Sequence, residues 1–138
     1  MKKVLVRGPL LSQSGYGNHA RQVFRWLLNR SDVEVCAQVL HWGVTPWLID
    51  ERAENGLIGE IMEKSISTMP SDVDISYQIQ LPNEWDTTIA RKNVGITAAV
   101  ETDLCNPNWI SYCNRMDAIV VPSQFTKGTI ERSGTLNV

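Results

Sequence analysis

Cysteine is scarce in this chain and badly placed for cross-linking. Cys36, Cys105 and Cys113 are odd in number and show no Cys-x-x-Cys spacing, which argues against a disulfide framework or a thiol zinc site. Reduced thiols in a cytoplasmic protein are the preferred reading. Long apolar runs are missing too. None approaches the roughly 20 residues of a membrane helix, and the apolar stretch of Met1-Lys-Lys-Val-Leu-Val6 is cut by Arg7 and Gly8, too early for a secretory signal. Basic charge is in short supply. Thirteen Lys and Arg against 15 Asp and Glu, a net charge of −2, argue against a nucleic-acid surface and leave small molecules as the expected ligands. Repeats, low-complexity tracts and linkers are absent. What remains, 43% hydrophobic and 20% charged over 138 residues, is the composition of an ordinary globular domain with one core.

Strand and helix periodicities alternate along the chain. Val4–Gly8 reads as a first strand. Ala20, Val23, Phe24, Leu27 and Leu28 then recur at helical spacing, with Arg21, Arg25 and Arg30 at the remaining positions. Val33–Leu40 is a second strand and Asp72–Ile79 a third. Leu57, Ile58, Ile61 and Met62 suggest a helix between them. Pro82-Asn83 signals a turn, with Asn83 placed to cap a short helix through Ile89 and Ala90. The strand Asn93–Val100 and a helix near Pro107–Arg115 follow. Asp117–Pro122 is a short apolar run of the kind buried on both faces. Ser123 then caps a helix that turns Phe125 and Ile130 to the core and ends at Gly134, and Thr135–Val138 resembles the start of another strand. Such alternation predicts a doubly wound, Rossmann-like α/β domain, a parallel sheet with helices on both faces.

Two places carry chemistry. Gly15-Tyr-Gly17-Asn-His-Ala20 matches G-x-G-x-x-A, but Pro9–Ser14 intervene after the first strand, and no acid closes the second strand, which ends Gln38-Val-Leu40. A Gly/Ser loop entering a helix still offers N–H groups and a positive dipole end to a phosphate. The bland reading of the same residues is a tight turn at Gly15 and Gly17 and a helix cap at Ser14. The second place is Glu101-Thr-Asp103, past the carboxyl end of the fourth strand. With a strand order of 3-2-1-4-5 the first and fourth strands meet at the switch point, and Gly15–Gly17 face Glu101–Asp103.

The ordered set of Glu101-Thr-Asp103, Trp109, Asn114-Arg-Met-Asp117, Pro122-Ser-Gln-Phe125 and Ser133-Gly134 resembles the N-terminal domain of GT-B glycosyltransferases, close to family 4. The resemblance covers most of the chain and implies the acceptor-side half of a two-domain enzyme whose donor-binding C-terminal domain is missing here. It implies transfer of a sugar from a nucleotide-sugar to a carbohydrate or lipid-linked acceptor, with retention, without a bound metal and with no cofactor beyond the donor. The fragment alone is expected to be inactive, cytoplasmic or peripheral to a membrane, and without a transmembrane segment or nucleic-acid partner. Ser14, Gly15, Tyr16 and Gly17 would border the donor diphosphate. Glu101, then Asp103 and His19, are the candidate catalytic residues, Glu101 standing where the family often has a His.

Structural roles compete at several of these positions. Asp103 equally suits a helix or turn cap, His19 a solvated or capping position, and Asp117 a purely structural one. Trp42, Trp85 and Trp109 follow strands and suit a sugar platform, with packing preferred for at least two of them. Two other functions remain open: a nucleotide- or NAD(P)-binding oxidoreductase or epimerase built on the glycine loop, and a non-catalytic α/β binding module.

Overall fold

Val4, Leu5 and Val6 form an apolar run at the centre of strand β1 (Lys2–Gly8), and none of the three is more than 1% exposed. Burial on both faces is what a parallel strand with neighbours on each side requires. The structure, a computed structural model, describes residues 1–41, 43–97 and 108–134. Its sheet contains β1, β2 (Val33–Val39), β3 (Ile75–Ile79), β4 (Lys92–Ile96) and β5 (Ala118–Val120), all paired in parallel. This is the doubly wound α/β class expected.

The order is β2-β1-β3-β4-β5, which corrects the expected 3-2-1-4-5. The route from β2 to β3 explains it. The chain runs through α2 (Leu57–Glu63) and then wraps the outer edge of β2, where Ala37 N–H donates to Lys64 O and Ile66 N–H to Ala37 O. It returns along the opposite face, where Ile66 and Val73 pack with Leu5, and emerges beyond β1. β3 therefore takes the place beside β1, in register from Val4↔Ile75 to Arg7↔Gln78. β4 is one strand further out.

Helix α1 (Gly15–Leu28) follows from its spacing: Ala20, Phe24 and Leu27 are buried against Val4, Val6 and Ile79, with Ile58 and Ile61 of α2 in the same cluster. Arg21, read as a solvent-side position, is also buried, because the loop before the helix folds over it. On the other face Trp85, Ile110 of α3 (Asn108–Cys113) and Ile130 of α4 (Gln124–Arg132) form a second cluster with Ile119. Helices thus cover both faces.

Four local expectations fail. No helix runs from Asn83 to Ala90; Pro82–Glu84 makes a single 3-10 turn, and residues 85–91 are held by side chains of the sheet instead. β5 is short, with Ala118 and Val120 exposed, so it is not buried on both faces. Phe125 lies outside the core at 53% exposure, whereas Ile130 is inside it, and α4 is capped at its C-terminus by Ser133 in a right-handed conformation rather than by Gly134. Thr135–Val138 lies outside the described residues.

Candidate functional site

The loop from Pro9 to Ser14 folds inward before α1 begins. Leu10, Leu11 and Ser12 are buried, and the segment after β2 runs back along them: Gln13 N–H donates to Pro46 O and Leu48 N–H to Leu11 O. Ser12 Oγ also meets the hydroxyls of Ser14 and Thr45. Ser14 is the N-cap of α1, its Oγ accepting from Gly17 N–H at 3.0 Å, and its carbonyl accepts from Asn18 N–H. This satisfies one of the helix's free amides locally.

The two glycines have different reasons to be there. A Cβ at Gly17 would lie 2.1 Å from Ser12 O and 3.0 Å from Pro9 O, so this glycine lets the helix sit on the loop backbone. A Cβ at Gly15 would meet nothing within 4 Å. Only Gly15 presents backbone to open space. Tyr16 reaches the other way: its Oη lies 3.1 Å from Thr97 Oγ1, directly after β4. Thr97 is fully buried.

In the observed order the switch point lies between β1 and β3. Its centre is Arg7, which sequence reasoning passed over. Arg7 Nη1 donates to Gln78 Oε1 at 3.2 Å, Gln80 Oε1 at 3.1 Å and Glu84 O at 3.0 Å. Burial lowers the Arg7 pKa, and the nearby Asp86 and Glu84 charges oppose that shift. The guanidinium stays charged at any physiological pH. Gln78 is the hub: its Nε2 donates to Ser76 Oγ and Asp86 O, and its Oε1 also accepts from Asp86 N–H. Trp85 Nε1–H donates to Gln78 O at 3.0 Å. Ser76 and Gln78 of β3 and Gln80 just past its end alternate as a solvent-facing row would, yet they are 0%, 0% and 3% exposed. The signal available in sequence was the residue type. An amide offers both a donor and an acceptor to backbone, which a Lys or Glu row cannot.

His19 lies one turn into α1, half-buried, and burial pushes its pKa down, so the imidazole is neutral at pH 7. No hydrogen-bond partner for it stands among the described residues. Glu101 and Asp103 lie outside the described residues, as do Trp42 and the predicted end of the fourth strand at 98–100. The Ser14–Gly17 loop meets Thr97 at the end of β4 through Tyr16, and β1 and β4 are not neighbouring strands as expected. Asp117 is at the opposite end of the sheet, its Oδ2 accepting from Asn93 N–H at 2.8 Å. Trp85 is buried in the second cluster and Trp109 packs half-buried against it, both in packing roles.

Among the described residues, no helix is long and apolar enough to cross a membrane, and no three His, Cys, Asp or Glu side chains are grouped to hold a metal ion. Comparison with protein-family models, curated proteins and solved structures finds no match to this chain.

Proposed function

We propose that this chain is the acceptor-side half of a GT-B glycosyltransferase, which with a donor-binding domain transfers a sugar from a nucleotide-sugar to a carbohydrate or lipid-linked acceptor. The observation that carries the reading is the Tyr16–Thr97 contact at the carboxyl edge of a parallel sheet. It joins the N-terminus of α1 to Thr97, four residues before Glu101 in the sequence. A helix N-terminus with open backbone at Gly15 suits phosphate oxygens of a departing nucleotide. A carboxylate from the following segment would orient hydroxyls and support positive charge as the glycosidic bond breaks. His19, uncharged at neutral pH, is suited to a hydrogen bond rather than to a salt link with phosphate.

The dinucleotide alternative fares worse on one specific observation. Gly17, the second glycine of its fingerprint, is buried with its Cβ side against Ser12 O, so its lack of a side chain serves the seat of the helix on the loop rather than an open approach to a ligand. Calorimetric titration of the 138-residue chain separates the readings. Millimolar-range binding of simple sugars, with little affinity for uridine or guanosine diphosphate sugars, is expected of an acceptor half. Nanomolar affinity for a nucleotide-sugar would sink the proposal, and tight NAD(P) binding by fluorescence would replace it with the oxidoreductase reading.

A further inference from the structure

Arg21 sits four residues after Gly17 on α1, and its side chain is only 4% exposed. A guanidinium taken out of water must be met by acceptors on several sides. Here the acceptors belong to the loop itself. Nη1 donates to Leu10 O at 2.9 Å and to Ser12 O at 2.8 Å, and Nη2 donates to Asn18 Oδ1. The Ser12 carbonyl is the same group that would collide with a side chain at Gly17. One cation therefore fixes the inward carbonyls of the loop and the close seat of the helix upon it.

The counter-charge comes from a strained place. Glu54 Oε2 lies 3.1 Å from Arg21 Nε, out of line for a hydrogen bond, so the contact is Coulombic. Glu54 has φ +53°, followed by Asn55 at +59° and Gly56 at +85°, a left-handed turn. Asn and Gly tolerate that region, whereas Glu does so at a cost, and such a residue persists only where surrounding contacts hold it. Arg25 of the same helix holds the turn by donating from Nη2 to Glu54 O at 3.3 Å.

We propose that Arg21 is a positioning residue for the Ser14–Gly17 loop, and that Glu54 is kept in its left-handed turn as the charge that holds Arg21 against the loop carbonyls. The functional meaning rests on reading that loop as the ligand loop, but the device and its test do not. Lys cannot replace Arg21, since an ammonium lacks the planar fork that serves two carbonyls, an amide and a carboxylate together.

Hydrogen exchange on the 138-residue chain, with no ligand added, tests this. The probes are the amides of Ser12, Gln13 and Gly17, all hydrogen-bonded, against the central amides of β1 and β3. Glu54→Gln is expected to raise exchange at the loop amides about tenfold while the sheet amides hold, the pattern of local opening. Arg21→Lys, which also loses the direct bonds to Leu10 O and Ser12 O, should open the loop at least as far, and the double variant should add nothing beyond Arg21→Lys, because Glu54 reaches the loop only through Arg21. Glu54→Gly removes the strain along with the charge, so the loop should open even though the turn is relaxed. Unchanged loop exchange in Glu54→Gln, a uniform rise across loop and sheet, or additive effects in the double variant would each overturn the proposal.

Discussion

Replacing Gly17 by alanine places one methyl group where the structure has backbone. The new Cβ would stand 2.1 Å from Ser12 O and 3.0 Å from both Ser12 C and Pro9 O. None of these atoms can swing aside as a flexible side chain would. Ser12 O is held at 2.8 Å by the buried Arg21, and the chain on either side is tied by backbone hydrogen bonds, Leu11 O to Leu48 N–H and Gln13 N–H to Pro46 O. Overpacking against a site of this kind costs about 1–3 kcal/mol, and a clash with fixed backbone belongs at the top of that range. Alanine recovers up to about 1 kcal/mol through its higher helix propensity. A net loss of about 2 kcal/mol remains, equivalent to a fall in Tm of roughly 6–8 °C for a domain of this size. Gly15→Ala is the internal control, since its Cβ meets nothing within 4 Å. It should melt at or slightly above the parent temperature. Thermal unfolding followed by circular dichroism reads both. If Gly17→Ala melts with Gly15→Ala, the glycine is not there for packing, and the argument against a dinucleotide loop loses its footing.

Three further perturbations follow from the same contacts. Gln78→Leu keeps the volume but strips acceptors from Arg7 Nη1 and Asp86 N–H and a donor from Asp86 O; unfolding in urea should show a loss of about 2–4 kcal/mol, and a loss under about 1 kcal/mol would mean the network is not a structural hub. Gly95→Ala would bring a Cβ within 2.6 Å of the Trp85 ring, itself pinned through Nε1–H to Gln78 O, so the urea midpoint should fall by an amount equivalent to about 1–3 kcal/mol, and an unshifted midpoint would mean the ring can move. His19 has a folded pKa below its unfolded value of about 6.5, so the unfolded chain binds the proton more tightly. The stability it contributes is complete above pH 6.5 and is lost as the pH falls from there through the folded pKa. His19→Gln should flatten that part of the stability–pH curve, and a curve that keeps its slope would assign the dependence to other groups.

Local physics made most of the elements legible. The run Val4–Val6, the helical spacing of Ala20, Phe24 and Leu27, and the caps at Ser14 and Ser123 each depend on neighbours within a few residues, and each element formed where the spacing put it. Strand order was not local. Nothing in the residues after α2 announces that the chain will wrap the edge of β2 and return under β1, since Ile66 and Val73 look like any other isolated apolar positions. The same limit explains Phe125. Its place in α4 follows from sequence, but whether that face meets a core depends on what covers β4 and β5.

Three residues beneath the carboxyl edge of the sheet, Arg7, Arg21 and Gln78, escaped the sequence reading for a related reason. Each is charged or polar, and neither local pattern nor composition marks such a residue as buried. What buries them is irregular chain: Pro9–Ser14 over Arg21, and residues 81–91 over Gln78. Irregular segments carry unpaired carbonyls and amides and need such side chains beneath them if they are to lie on a sheet at all. A planar guanidinium or an amide in an otherwise regular polar row, next to a proline-containing loop, is therefore a sign of covering loop rather than of solvent. By that argument the residues shaping the carboxyl edge of this sheet are Arg7, Gln78 and Arg21 at least as much as the glycines. Their substitution should disturb the Ser14–Gly17 loop and the 81–91 segment before it disturbs the core.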